Sequence, residues 1–381
     1  FSLQKLAREI GTTPKKLLSP IVLKRTGHTY RIGCLLCEDA WSDDYELAPL
    51  NLLKQDGSID FYVNISASPY TLGKNEKRNR VFSRHAMDAS APLFYVNCIG
   101  LQNNGKTVYT FDGTSTAYNA AGHAVAVAPS YEESLQSIEL SSMSSMRELH
   151  EKDEPEIAHI YRSLSYGVRH FLANIHMKKV VVGVSGGIDS AVAAALYAKI
   201  VEPQNLLLVN MPSVYNSKTT KSLSHKLAKN LGCPYMIVPI QESVNHTIQQ
   251  IETIPIDFLA QTTKSHLSVS SFVAENIQAR DRSARVLAGV SAAFGGGFTC
   301  NANKAETTVG YATLYGDQSG FLAALADLWK YQVYALAHYL NDVVYGREAI
   351  PQGIIDIIPS AELSNAQNVE EGKGDPIQYP Y

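Results

Sequence analysis

The pattern of apolar and polar positions changes character partway along the chain. As far as Phe111 it reads as short apolar runs broken by turns. Tyr30 to Leu36 leads to Cys37, Phe61 to Ile65 ends in the polar loop Ser66 to Pro69, Leu93 to Ile99 is a third run, and Thr107 to Phe111 meets Asp112-Gly113, a turn signal. The stretch Pro129 to Glu156, rich in Ser and Glu, reads as an interdomain linker, helical in part. From Ile157 an apolar-periodic helix runs to Asn174. Val180 to Val184, bounded by charge and glycine, then suits a buried parallel strand. Helices and strands alternate from there: a helix through Ile200, a strand at Leu206 to Met211, a helix from Ser217 to Leu231, a strand at Tyr235 to Pro239. A long helical pattern covers Phe272 to Phe294 and stops at three glycines before a last strand, Phe298 to Asn301. Such alternation predicts an α/β fold with a doubly wound parallel sheet.

Composition narrows the class. The chain has 381 residues, 45% hydrophobic and 18% charged, which is enough for two cores. A formal net charge of -3 argues against non-specific binding to nucleic acid or anionic lipid. No apolar run reaches the ~18 residues of a membrane span, and the opening FSLQKLAREI is no signal peptide. Five cysteines, an odd count, read as free thiols of a reducing, cytoplasmic setting.

The strongest local feature is Gly183-Val184-Ser185-Gly186-Gly187-Ile188-Asp189-Ser190, set between a buried strand and an amphipathic helix. Glycines let a ligand approach the backbone, and the free N–H groups of a turn and helix start converge on one spot, which suits a phosphate or pyrophosphate. Ser185 and Ser190 add hydroxyls. Asp189, an anion where an anion should bind, makes sense as a holder of Mg²⁺. The loop is neither a Walker A motif nor a GxGxxG fingerprint.

Ser-Gly-Gly-Ile-Asp-Ser after a strand resembles the SGGxDS loop of the N-type ATP pyrophosphatases, which adenylate a carbonyl or carboxylate. Three further segments resemble NAD synthetases among them: Glu275 to Arg280 (ENIQAR), Asn303 to Glu306 followed by Val309 to Asp317 (NKxE…VGYxTLYGD), and Pro359 to Leu363 (PSAEL). The resemblance implies ATP and Mg²⁺, with Gly183, Ser185, Gly186, Gly187, Ile188, Asp189, Ser190, Met211 and Asn301 on the ATP and with Asp189 and Glu306 on the metal. It implies deamido-NAD as substrate, touched by Asn276, Arg280, Glu306, Tyr311, Asp327 and Lys330. Asn276 and Arg280 lie one helical turn apart and so share a face. Two positions depart from the family: Asn301-Ala302 stands for the common Thr-Gly, and Trp329 interrupts the equivalent of GDLTK.

The front half resembles the nitrilase-type glutaminases fused to NAD synthetase. Gly33 to Trp41 looks like their nucleophile segment, with Cys37 as nucleophile, and Asn64 to Tyr70 followed by Gly73-Lys74 like the next, with Ser68 and Lys74 on the glutamine. Cys34 and Cys37 also form CxxC, but strand alternation would point them to opposite faces. The family's Glu and Lys lie upstream of its nucleophile and have no match here. The expectation is a partial nitrilase-like αββα domain over 1–140, its N-terminal part missing, then a synthetase domain over 141–381 that stops before a final helix. The expected activity is amidation of deamido-NAD with ammonia from glutamine, in a homo-oligomer. The alternatives are another N-type ATP pyrophosphatase amidotransferase, or a non-catalytic scaffold with a remnant glutaminase domain.

Overall fold

Period-two burial sets the front sheet. In the computed structural model, which describes residues 3–25, 27–42, 45–55, 57–105, 107–150, 154–259 and 264–377, Tyr62, Asn64 and Ser66 are buried on one strand and Leu93, Tyr95 and Asn97 on its neighbour. The strands are β1 (Ile21–Arg25), β2 (His28–Leu36), β3 (Phe61–Ser66), β4 (Leu93–Asn97), β5 (Ile99–Asn103), β6 (Val108–Asp112), β7 (Thr116–Tyr118) and β8 (Ala124–Val127). Six of them form one sheet in the order β1-β2-β3-β4-β7-β8, while β5 and β6 pair separately. β2, β3 and β4 are parallel, and the outer strands are antiparallel. The helix Lys74–Ala89 contributes Phe82 and Ala86 to a core with Leu35, Tyr62, Leu93, Tyr95 and Tyr118.

The single strand expected over Leu93 to Ile99 is in fact two. Asn97, buried at the end of β4, accepts the Ser68 N–H at 2.9 Å and donates to the carbonyls of Ser68 and Gly113, so the chain leaves the sheet there. The expected helical linker holds, among its described residues, only a 3₁₀ segment, Leu140–Ser145, before the helix Glu156–Asn174 begins. Packing divides the chain into Phe1–Gly167 and Val168–Tyr381, a division that falls within that helix, beyond the boundary expected at 140/141.

In the second unit, β9 (Val180–Gly183) carries three valines with no exposed surface, as a strand covered on both faces must. It pairs in parallel with β10 (Leu206–Asn210), which pairs with β11 (Tyr235–Ile237). A minor hairpin of β12 (Ile256–Asp257) and β13 (Lys264–Ser265) stands apart. The last strand, β14 (Gly297–Phe298), returns to the free side of β9, giving the order β11-β10-β9-β14. That reversal creates a crevice at the carboxyl ends of the strands, the place where open α/β sheets hold ligands. The long helix expected from Phe272 is present as Ser271–Arg280, a π-helical turn Asp281–Leu287 and Ala288–Phe294, closed by Gly295 at φ +83°. Val286 and Leu287 pack on Val181, Val209 and Ile240 to form the core beneath the crevice. Among the described residues no helix is long and apolar enough to cross a membrane.

Candidate functional site

The glycine loop leaves β9 at the switch point and enters the helix Ile188–Tyr197. Gly186 has φ +95°, and a Cβ there would lie 2.3 Å from the Thr220 carbonyl oxygen, so no other residue fits. The two serines brace the turn. The Ser185 N–H donates to Ser190 Oγ at 3.3 Å, the Gly187 N–H to Ser185 Oγ at 3.2 Å, and Ser190 Oγ to the Gly187 carbonyl at 3.0 Å. Gly187 is the N-cap and supplies no side chain, so no side chain of its own covers the helix start.

Asp189 is in the first turn of that helix. Its Oδ2 accepts from Lys330 Nζ at 2.5 Å, and the same ammonium stands 3.7 Å from Glu306 Oε1. The two acids are thus brought together around one cation. Asn303, fully buried, donates from Nδ2 to Asp189 Oδ1 at 2.9 Å. It also forms a reciprocal cap with Glu306, accepting the Glu306 N–H at 3.1 Å while its own N–H donates to Glu306 Oε2 at 3.2 Å. Burial raises the Glu306 carboxyl to about 7, the charge of Asp189 adds to the rise, and Lys330 opposes it. Burial alone would lower Lys330, but Asp189 and Glu306 outweigh it and hold the ammonium above its ordinary value.

These groups open on a cleft lined by the whole Gly183–Ser190 loop, Met211, Asn301, Glu306, Tyr311 and Lys330. Asn301 donates from Nδ2 to the Gly183 carbonyl at 3.0 Å and accepts from Thr299 Oγ1 at 2.8 Å, which ties the segment after β14 to the end of β9. Asn276, Arg280 and Asp327 do not line this cleft. Asn276 accepts from Thr313 Oγ1 at 2.9 Å, Arg280 is exposed with Nε donating to the Leu314 carbonyl at 3.3 Å, and Asp327 is exposed.

Two residues lining the cleft, Arg282 and Glu362, and one buried behind it, Asn303, carried no assigned role in the sequence. Arg282 donates from Nε to the Met211 carbonyl at 3.1 Å and from Nη2 to Asn216 Oδ1 at 3.3 Å. Burial pulls its guanidinium down to about 10, against the acids Asp281 and Glu362. Glu362 is 2% exposed and accepts from the Ser217 N–H at 3.1 Å and from Thr220 Oγ1 at 2.7 Å. Asn303 had a readable signal, since Asn-x-x-Glu is a capping-box spacing. On the other wall, Tyr311 donates to Asp375 Oδ1 at 3.1 Å, and burial raises both groups.

In the front unit, β2 ends at Leu36. Cys37 lies outside the strand, so strand alternation does not fix its direction relative to Cys34. It opens a 3₁₀ turn, Cys37–Ala40, at φ +39°, a left-handed conformation that costs on the order of 1–3 kcal/mol in a non-glycine residue. The turn is held at both ends: Asn64 Nδ2 donates to the Cys37 carbonyl at 3.3 Å, and His85 Nε2 meets the Ala40 carbonyl at 2.7 Å. Lys74 begins the helix Lys74–Ala89 with Nζ 4.9 Å from the centroid of the Trp41 ring; burial lowers it, and Arg78 and Lys77 lower it further. Ser68 is buried, and its carbonyl accepts from Arg78 Nη2 at 3.0 Å. Arg78 also donates to both oxygens of buried Asp112, at 2.7 and 2.9 Å. Asp112, read in the sequence as part of a turn signal and of a segment resembling the late part of the glutaminase domain, is half of a buried ion pair.

A family model for NAD synthase matches residues 160–379. The chain belongs to the NAD synthase family. It is 33% identical over 347 residues to the glutamine-dependent NAD(+) synthetase of Synechocystis sp., a match covering 88% of this chain and 59% of that protein. It is 30% identical over 375 residues to that of Thermotoga maritima, covering 90% and 62%. The solved glutamine-dependent NAD+ synthetase of Acinetobacter baumannii, in complex with adenosine diphosphate, is similar with a TM-score of 0.75 at 29% identity, over 90% of this chain and 61% of that one. The chain thus spans about three fifths of the length of these NAD synthase relatives.

Proposed function

We propose that the second unit forms NAD from deamido-NAD by ATP-dependent amidation. The triphosphate lies against the Ser185–Ser190 loop. The nicotinate carboxylate of deamido-NAD attacks the α-phosphorus, forming a P–O bond as the bond to pyrophosphate breaks. Ammonia then attacks the acyl carbon of the resulting adenylate, a C–N bond forms, and AMP and a proton leave. The chain contributes position and charge, with no protein nucleophile. The observation that carries this reading is the meeting of Asp189, Glu306 and Lys330 beside a glycine loop at the switch point of a parallel sheet.

Lys330 stabilises negative charge as it develops on the phosphates. Met211, its carbonyl already taken by Arg282, offers its backbone edge to the adenine. Tyr311 contacts the dinucleotide, and Asn276, Arg280 and Asp327 join it by family resemblance. Mg²⁺ fits the donor set. Among the described residues no cluster of three acids, His or Cys exists, yet two carboxylates with phosphate oxygens and water are what this ion takes. An acid raised by burial and then by its neighbour's charge is also what a divalent cation relieves. Asp189 and Glu306 would hold it, and when bound it would neutralise phosphate charge.

In the front unit, the Cys37 thiolate attacks the glutamine amide carbon, forming a thioester and releasing ammonia. Ser68 and Lys74 contact that glutamine, and the protein works as a homo-oligomer. The direct experiment supplies ATP, Mg²⁺, ammonium and deamido-NAD and follows NAD, AMP and pyrophosphate, which should appear in equal amounts. Asp189→Asn should lower this turnover by about 10²-fold or more. AMP release stimulated by a GMP precursor or tRNA, and not by deamido-NAD, would overturn the substrate assignment.

A further inference from the structure

We infer that Asn303 is the positioning residue that sorts the four carboxylate oxygens of Asp189 and Glu306, holding two and presenting two. Its side-chain amide takes Asp189 Oδ1 at 2.9 Å, and its backbone N–H takes Glu306 Oε2 at 3.2 Å. The two remaining oxygens, Asp189 Oδ2 and Glu306 Oε1, are those that face Lys330 Nζ, at 2.5 and 3.7 Å. One residue therefore touches both acids: its side chain holds an acid 114 positions away, and its backbone N–H holds the acid three residues on.

Asn303 has no exposed surface, so water does not compete for its amide. Its amide is also fully assigned by its neighbours. Oδ1 accepts the Glu306 N–H at 3.1 Å, which leaves Nδ2 as the group toward Asp189. Without that donor Asp189 can rotate and offer either oxygen. With it, the pair of acids presents one fixed face to a cation. The inference rests on the reading of Asp189 and Glu306 as the metal-holding acids.

The two bonds of the Asn303 side chain can be separated by substitution. Asn303→Ser keeps an oxygen for the Glu306 N–H, and so keeps the cap, but has no amide for Asp189. Asn303→Ala loses both. Binding of the non-hydrolysable α,β-methylene analogue of ATP would be measured by calorimetry with and without Mg²⁺, beside thermal unfolding of each protein. Asn303→Ser should melt near the wild type yet lose about tenfold of the gain in analogue affinity that Mg²⁺ brings, as loss of a ligand-orienting bond does elsewhere. Asn303→Ala should lose as much of that gain and also melt lower. If the serine variant does not fold, Asn303→Thr, which also caps, should show the same loss. Full retention of the gain in the serine or threonine variant overturns the inference and leaves Asn303 as a cap alone. Asp189→Asn and Glu306→Gln are the separate control. If neither reduces the gain, or the wild type has none, the metal site itself is wrong and the inference falls with it.

Discussion

Arg78 and Asp112 are 2% and 1% exposed and bonded twice. Burial would lower the Arg78 guanidinium, but Asp112 outweighs it and holds the proton on. Arg78→Met strands a buried carboxylate and should cost about 3–5 kcal/mol in urea unfolding. Adding Asp112→Leu should recover part of that loss, and no recovery would mean that the pair is not the cause. Glu306 gives a pH effect of definite sign. Its carboxyl ionises near 4.5 when unfolded and near 7 when folded. Between those values the folded chain binds more protons, so stability falls as pH rises. Without metal, the wild type should lose stability relative to Glu306→Gln from about pH 4.5 to about pH 7, and parallel urea midpoints would refute it. The loop glycines and Asp189 were legible because their chemistry is local. The Asn303–Asp189 and Arg78–Asp112 pairs were not, since each joins positions far apart in the chain and no spacing encodes them.

The helix Lys218–Leu231 is capped partly from outside itself. Ser217 caps it, accepting from the Thr220 N–H at 3.0 Å, and buried Glu362 then satisfies the Ser217 N–H from outside the helix. A carboxylate at a helix start is also favoured by the helix dipole. Glu362→Ala leaves the buried Ser217 N–H without its acceptor and should cost about 1–3 kcal/mol. Hydrogen exchange should quicken at 217–220 ahead of the sheet, and unchanged exchange there would remove Glu362 from the cap. The helix was readable from the alternation of helices and strands, and β9 from its unbroken apolar run. The end of β4 was not, because a buried Asn97 decides it by hydrogen bonds that an apolar run conceals.

For the molecule as a whole, the proposed chemistry divides by unit. Cys37→Ala should abolish glutamine-supported NAD formation and leave ammonia-supported formation within about twofold, since the cysteine is needed only for the thioester. Loss of both would mean that Cys37 is structural. The sequence showed two kinds of pattern, short runs and then strict alternation, and the structure has two units. The change of pattern could not place their division, which packing sets within the helix Glu156–Asn174.

The four strands β9, β10, β11 and β14 all run the same way, so their sheet has a working rim and an idle one. The chain enters β10 through the exposed segment Glu202–Gln204 and β11 through Gly232 to Pro234, both on the idle rim. Peptide tags or reporter groups spliced into 202–204 would therefore ride on the protein away from the glycine-loop cleft.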